Sequence, residues 1–156
     1  MKKLIQDALQ SCSPLLKKSQ IRHLKSVAGG CIHQAWCIEL DNGFKFFAKT
    51  NEIKNFNMLQ YESECLLALR EFVDETLISI PKPLYLRKVD NLAILFLPWI
   101  ELTKQKQHNL GCGLALLHRS SSQKHPKKFG WGNDGFIGSN PQLKGWSNEW
   151  GEFFVN

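Results

Sequence analysis

The spacing of turn-forming residues between residues 21 and 49 constrains the fold more than any other feature of this chain. Asp41-Asn42-Gly43 is a strong hairpin signal, because Asn and Gly tolerate the positive φ angles that tight turns need. Gly29-Gly30 marks an earlier break, and the segments between these breaks have the length and apolar content of strands. We therefore predict three consecutive strands: Ile21–Ala28, His33–Leu40 and Phe44–Lys49.

Two helices and a second hairpin are predicted around this meander. Lys2–Ser11 has a short amphipathic pattern, and Asn55–Phe72 has helical period. Leu84–Lys88 and Leu92–Leu97 flank the turn dipeptide Asp90-Asn91, which predicts a hairpin. The order predicts an α+β fold, in which a five-stranded antiparallel sheet carries one helix inserted after its third strand.

The last third of the chain is predicted to be mostly irregular. We expect a helix over Gln107–His118, although Gly111 and Gly113 weaken it by about 1 kcal/mol each relative to Ala. The prediction continues with a loop over residues 119–145 and a helix that starts at Trp146, with Ser147 as its N-cap.

Composition favours one globular domain. The chain has 156 residues, of which 43% are apolar. This content is enough to form a core and too high for a disordered chain.

The net charge of the chain, +6, suits a partner that carries phosphates. Because the basic residues are scattered and no nucleic-acid-binding motif occurs, we expect a nucleotide and no nucleic acid. The densest basic cluster, Lys124 to Lys128, is interpreted as a solvated loop in preference to a phosphate clamp.

Cysteine content and hydropathy bear on the compartment. Five cysteines, without a CxxC pair, favour a reduced protein and no zinc site, so we expect no metal ligand in this chain. No apolar run reaches transmembrane length, and the N-terminus has no signal-peptide core, so no membrane partner is expected. A cytoplasmic protein is the expectation, and the oligomeric state stays open.

Glu62 is the sharpest physical clue to a site. It lies in the middle of the apolar face of the helix 55–72, a face that we assign to Met58, Cys65, Leu66 and Leu69. A carboxylate on such a face must be paired, neutralised or at the rim, because an unpaired buried charge costs several kcal/mol. The sequence therefore implies a cation close to Glu62.

Residues 129–154 are dense in glycines and aromatic side chains. The stretch reads FGWGNDGFIGSNPQLKGWSNEWGEFF and holds six Gly and seven aromatics. By pattern alone it is an ordered loop held to a core by its aromatics. As a written string it resembles the fructosamine (ketosamine) kinases, small-molecule kinases related to aminoglycoside and choline kinases. The resemblance rests on Phe-Gly, Asp-Gly-Phe-Ile-Gly-Ser, Pro-Gln, Gly-Trp-Ser, Trp and Glu-Phe-Phe, in that order.

The resemblance implies a protein-kinase-like small lobe over residues 1–98, followed over 99–156 by the hinge and the start of a helical large lobe. It implies ATP as cofactor, with Lys49 on the phosphates and Glu62 orienting it. Gly29 and Gly30 would form the phosphate-covering hairpin, and Leu97, Pro98 and Trp99 would carry the adenine. Pro98 has no N–H to donate, which is a departure from relatives that have an acidic residue there.

The family's His-Gly-Asp motif does not occur in these 156 residues. Its aspartate takes the substrate hydroxyl proton, and Mg²⁺ ligands follow it, so no catalytic or metal-binding residue is assigned here. The chain is expected to be the N-terminal half of such a kinase: a fragment, a truncated reading frame or a genuine short relative.

Three functions stay open at this point. The first is ATP-dependent phosphorylation of the sugar of ketosamines, carried on a small amine or on a protein, which leads to deglycation. The second is a related kinase that acts on an aminoglycoside, choline or another alcohol. The third is a non-catalytic nucleotide-binding or interaction module.

Overall fold

The computed structural model describes residues 1–102, 107–124, 128–142 and 145–155. The chain forms two compact units, which we call the sheet unit (residues 1–66 and 81–102) and the helical unit (residues 67–80 and 103–156). The predicted division after residue 98 stays a prediction, as does the interpretation of Lys124 to Lys128, since residues 125–127 lie outside the described residues.

A five-stranded antiparallel sheet forms the centre of the sheet unit. Its strands lie in the order β1-β2-β3-β5-β4. Each strand pairs antiparallel with its neighbours, with Lys49 opposite Ala35 and Leu95. The five-stranded sheet and the helix after its third strand are therefore confirmed. The strands are β1 (Ile21–Val27), β2 (Gln34–Leu40), β3 (Lys45–Glu52), β4 (Tyr85–Val89) and β5 (Leu92–Pro98).

The two predicted hairpins have the expected turn chemistry. Between β2 and β3, Gly43 has a φ of +84°, and the Asn42 side chain accepts a hydrogen bond from the Phe44 N–H at 3.1 Å. Between β4 and β5, Asp90 has a φ of +48°. Asp and Asn reach this left-handed region more readily than other non-glycine residues, so the local sequence is sufficient to place both turns.

Helices cover both faces of this sheet. Helix α1 (Lys2–Cys12) packs Ile5 and Leu9 on one face, where they join Ile38 and Phe96 in a core cluster. Helix α2 (Phe56–Arg70) packs Leu59 on the other face, against a second cluster of Ala93, Leu95 and Leu97. Strand β5 contributes alternate residues to each cluster, which explains why Ala93 to Leu97 are all buried.

The apolar face of α2 differs from the prediction. Leu59 is fully buried, although the predicted face was Met58, Cys65, Leu66 and Leu69, and Leu69 is 40% exposed. Residues 59, 62 and 66 have the spacing of one helix face, and Leu66 packs on the second cluster. Leu69 lies in the last turn of α2, which belongs to the helical unit.

Helix α3 (Gln107–Lys124) is longer than predicted. Ser121 and Ser122 donate their hydroxyls to the carbonyls of His118 and Arg119, at 3.1 and 2.8 Å, so these polar residues stay compatible with the helix. Gly113 is required for packing, because a Cβ there would lie 2.6 Å from Ile78 Cγ2.

The predicted loop over residues 119–145 is wrong in part. Beyond the end of α3, the segment contains short strands that form two two-stranded antiparallel sheets, in which β6 pairs with β9 and β7 pairs with β8. Strands of three residues are too short to show periodicity, and β6 and β9 in addition depend on a partner distant in sequence, whereas a two-residue turn joins β7 to β8. The strands are β6 (Phe129–Trp131), β7 (Gly135–Ile137), β8 (Asn140–Gln142) and β9 (Gly145–Ser147).

The last helix begins four residues later than predicted. Helix α4 covers Trp150–Val155, and Ser147 lies in β9. The Ser147 hydroxyl nevertheless accepts a hydrogen bond from the Glu149 N–H and donates one to the Glu152 carboxylate, each at 3.0 Å. None of the helices within the described ranges is both long and apolar enough to span a bilayer.

Candidate functional site

An ion pair between β3 and α2 forms the centre of the candidate site. Lys49 Nζ lies 2.6 Å from Glu62 Oε1, and the side chains are 29% and 26% exposed. Leu59, one turn before Glu62, is buried on the sheet, which directs the same helix face towards β3. The expected contact between these two charges is therefore present. Its role in binding a phosphate stays a prediction.

The pair opens on a cleft of about 540 Å³ within the sheet unit. Lys49, Glu62, Leu97, Pro98 and Trp99 all line it, so five of the seven predicted site residues come together. Gly29 and Gly30 are not among its lining residues. Further apolar walls come from Val27, Phe47, Leu66 and Pro81. The cleft also contains the Glu101 carboxylate, which lies near Lys45, so its charges are the Lys49–Glu62 pair and Glu101. A mainly apolar cleft with a cation on its wall suits a ligand that has a flat apolar part and an anionic part.

The segment after β5 is held against β3 by side chains. The Trp99 ring lies 6.5 Å from the Phe47 ring, and Trp99 Nε1 donates a hydrogen bond to Glu101 Oε1 at 2.8 Å. Lys45 Nζ lies 3.6 Å from the same carboxylate oxygen. Pro98 lies opposite Phe46 in the sheet register. Because proline has no N–H, only the Pro98 carbonyl is available to a ligand at that position.

The connection between β1 and β2, residues 28–33, is here called the glycine loop. Gly29 has a φ of +120°, a conformation that other residues rarely adopt. A Cβ on Gly30 would lie 2.7 Å from the His33 carbonyl oxygen, so the loop turns too tightly there for a side chain. Both glycines are therefore needed for the shape of the loop, whatever it binds.

His33 ends the glycine loop beside the ion pair. Burial lowers the pKa of its imidazole, while the Glu62 carboxylate raises it and the Lys49 ammonium lowers it. His33 Nδ1 lies 2.8 Å from Asn51 Nδ2. We did not predict Asn51 or Glu101 as site residues, because a polar residue beside a strand end looks like ordinary loop sequence.

Within the described residues, no group of three or more His, Cys, Asp or Glu side chains is arranged to hold a metal ion. The five cysteines, all of which lie in the described part of the chain, are free thiols.

Comparison with known proteins gives one consistent result. A family model described as fructosamine kinase matches residues 1–156. A probable ketoamine kinase of Synechocystis is 31% identical over 139 residues, which cover 87% of this chain and 45% of that protein. A chloroplastic protein-ribulosamine 3-kinase of Oryza sativa subsp. indica is 33% identical over 144 residues, covering 88% of this chain and 40% of that protein.

A solved structure supports the fold. The crystal structure of a candidate fructosamine-3-kinase from Haemophilus somnus 129PT superposes with a TM-score of 0.74 at 23% identity, covering 99% of this chain and 50% of that one. The predicted α+β small-lobe fold is thereby confirmed. The chain spans about half the length, or less, of the relatives that it matches.

Proposed function

The chain belongs to the fructosamine kinase family, and from that premise we propose that it supplies the ATP-binding half of a kinase that phosphorylates the sugar of ketosamines. The observation that carries the proposal is the Lys49–Glu62 pair, 2.6 Å apart, on the wall of an apolar cleft. The names of the relatives, ketoamine kinase and protein-ribulosamine 3-kinase, support the substrate class.

In this proposal the two ends of the nucleotide are bound by different means. The Lys49 ammonium binds the phosphates, and Glu62 holds the ammonium in place by a charge-assisted hydrogen bond. Phe47, Leu97 and Trp99 line the apolar part of the cleft, where the adenine would lie. Phosphoryl transfer depends on positioning and charge neutralisation, and a pre-oriented cation supplies both without reorganisation.

The remaining catalytic groups are proposed to lie in the part of the family's chain that these 156 residues do not span. They are the base that accepts the substrate hydroxyl proton and the ligands of Mg²⁺, which neutralises phosphate charge when bound. We further propose that the acceptor is a ketosamine on a small amine or on a protein, that phosphorylation promotes deglycation, and that the reaction takes place in the cytoplasm. Free thiols are consistent with a reducing compartment.

Replacing Lys49 tests this proposal. In the complete natural protein, Lys49→Ala should lower ketosamine-dependent ADP release by about tenfold or more, because the phosphates lose their cation. Lys54→Ala is the matched control, since Lys54 is an exposed lysine that contacts Glu52. Circular dichroism and thermal melts must show that both variants are folded. Unchanged turnover in Lys49→Ala would contradict the assignment of Lys49 as the cation that binds the phosphates.

A second candidate is a nucleotide-binding module without catalysis, for which the Lys49–Glu62 pair on the apolar cleft would be sufficient. Thermal protection by ATP without turnover of any substrate would support it. A panel that includes an aminoglycoside and choline would separate the ketosamine kinase from related small-molecule kinases.

A further inference from the structure

Asn51 connects the glycine loop to the strand that carries Lys49. It lies in β3, two residues after Lys49, and its amide group takes part in four hydrogen bonds. Two of these bonds are local, to Glu52 and Asn55, and two reach the glycine loop, at Ile32 and His33. A side chain with all of its amide atoms occupied is held in one orientation.

The local bonds fix which end of the amide faces the loop. Asn51 Oδ1 accepts from the Glu52 N–H at 2.8 Å and from Asn55 Nδ2 at 3.0 Å. The NH₂ group therefore faces the glycine loop. It donates to the Ile32 carbonyl at 3.3 Å and lies 2.8 Å from His33 Nδ1.

This arrangement also fixes the proton on His33. Because Nδ1 accepts the amide hydrogen, the neutral imidazole carries its own proton on Nε2. On the loop side, the close approach of Gly30 to the His33 carbonyl leaves the backbone little room to rearrange. Ile32 and His33, at the end of the glycine loop, are therefore held both by the tight turn at Gly30 and by Asn51.

We infer that Asn51 is a positioning residue of the nucleotide site, which holds the glycine loop to β3 so that loop and Lys49 act together on the phosphates. The inference rests on the proposed nucleotide binding and extends it to a residue outside the Lys49–Glu62 pair. It separates the two ends of the ligand: the phosphates would lie at Lys49 and extend to the glycine loop, whose glycines do not line the cleft, whereas the adenine would lie between the apolar walls of the cleft.

Paired binding measurements in the complete natural protein test this separation. Asn51→Ala should raise the Kd for the non-hydrolysable ATP analogue AMP-PNP by about tenfold. This is the change expected when two hydrogen bonds of modest strength, which preorganise the loop, are lost. The Kd for adenosine, which has no phosphate, should stay unchanged. Asn57→Ala is the matched control, because Asn57 is an exposed asparagine of α2.

Asn51→Asp is the second variant, in case Asn51→Ala does not fold. Its carboxylate can still accept from Glu52 and Asn55 but cannot donate to Ile32 or His33. The ¹⁵N NMR spectrum of the His33 ring should show that a proton moves to Nδ1, where it can be donated to the new carboxylate. The AMP-PNP Kd should still rise, because the bond to the Ile32 carbonyl is lost and the new negative charge lies near the phosphates. Asn57→Asp controls for the added charge.

The outcomes separate this inference from the proposed function. If the wild-type protein binds AMP-PNP and loses it in Lys49→Ala, but Asn51→Ala binds it normally, the inference is overturned while the proposed function stands. Equal weakening of AMP-PNP and adenosine also overturns it, because that result indicates general destabilisation. If the wild-type protein binds no nucleotide, the proposed function fails first, and the inference fails with it even if the NMR result supports the hydrogen bond.

Discussion

The sheet unit and the helical unit differ in how they bury apolar side chains. In the sheet unit, α1 and α2 lie on opposite faces of one sheet, and residues such as Ile38, Leu59 and Phe96 are fully buried. In the described part of the helical unit, Leu117, at 6% exposure, is the only large apolar side chain that is buried. Phe154 there is 74% exposed.

This difference shows that aromatic content alone does not make a core. Trp150 contacts Phe129, Phe153 and Phe154 at ring distances of 5.6 to 5.8 Å, but these rings shield one another only partly. The three-residue strands and the six-residue helix α4 offer no broad face to cover, and the longer α3 buries only Gly113 and Leu117, whereas a five-stranded sheet offers two faces. The stability of the sheet unit should therefore depend on single buried residues, and that of the helical unit on backbone geometry.

The largest expected effect is a core truncation in the sheet unit. Phe96→Ala should lower the free energy of unfolding by about 3–5 kcal/mol, because it removes a fully buried ring and leaves a cavity. Leu114→Ala in α3 should cost less than about 0.5 kcal/mol, since Leu114 is 43% exposed. Urea denaturation followed by circular dichroism measures both. Similar losses from the two variants would contradict the comparison.

A glycine substitution should have the next largest effect, this time in the helical unit. Gly130 has a φ of +141°, and a Cβ there would lie 1.8 Å from the Gly145 carbonyl oxygen, so Gly130→Ala should separate β6 from β9 at a cost of about 1–3 kcal/mol. Hydrogen exchange should report faster exchange of the Phe129–Trp131 amides.

Gly111→Ala is the control for this substitution. No atom lies within 4 Å of an added Cβ on Gly111, so the exposed α3 position should gain about 1 kcal/mol from the better helix propensity of Ala. Unchanged exchange in Gly130→Ala would mean that strand pairing in β6 and β9 does not depend on this backbone geometry.

The smallest expected effect is in the titration of His33. Burial lowers the pKa of its imidazole below the ordinary 6.5. The neutral ring is favoured in the folded state, so its contribution to stability is present above pH 6.5 and is lost as pH falls through the lowered folded pKa. An NMR titration, with His33→Asn to identify the resonance, should give a midpoint below 6.5. A midpoint at or above 6.5 would show that the glycine loop does not shield His33.

Both hairpins and the need of Glu62 for a cation could be predicted, each for a local reason, whereas the choice of Lys49 came from the resemblance to a kinase family. Asp41-Asn42-Gly43 and Asp90-Asn91 determine turns within a few residues. Glu62 could be recognised because a carboxylate on an apolar helix face requires a cation. The predicted face of α2 was wrong in part: Leu66 packs on the core as expected, but Leu59 and not Met58 is buried. A pattern of mixed apolar residues does not show a rotation of the helix by one residue.

The end of the chain was predicted less well. Residues 119–124 continue α3 because serine hydroxyls bond to carbonyls of the preceding turn, and serine by itself favours a loop prediction as readily as a helix. The short strands β6 to β9 exist only through their pairing, for instance of Phe129 with Ser147. The serine bonds span three residues and a two-residue turn joins β7 to β8, so both are local features that the prediction missed, whereas the pairing of β6 with β9 is not readable from a window of neighbouring residues.

The sequence by itself determined the order of strands and helices in the sheet unit, the positions of its turns and the need of Glu62 for a cation. These follow from turn chemistry, periodicity and the cost of burying a charge, which act over a few residues. Only the tertiary structure decided that Lys49 reaches Glu62 at 2.6 Å and that Asn51 lies 2.8 Å from His33 in the glycine loop. It also decided which aromatics of residues 129–154 stay exposed, namely Phe129, Trp146, Trp150 and Phe154. Such contacts join residues far apart in the chain, so their geometry depends on how complete elements pack.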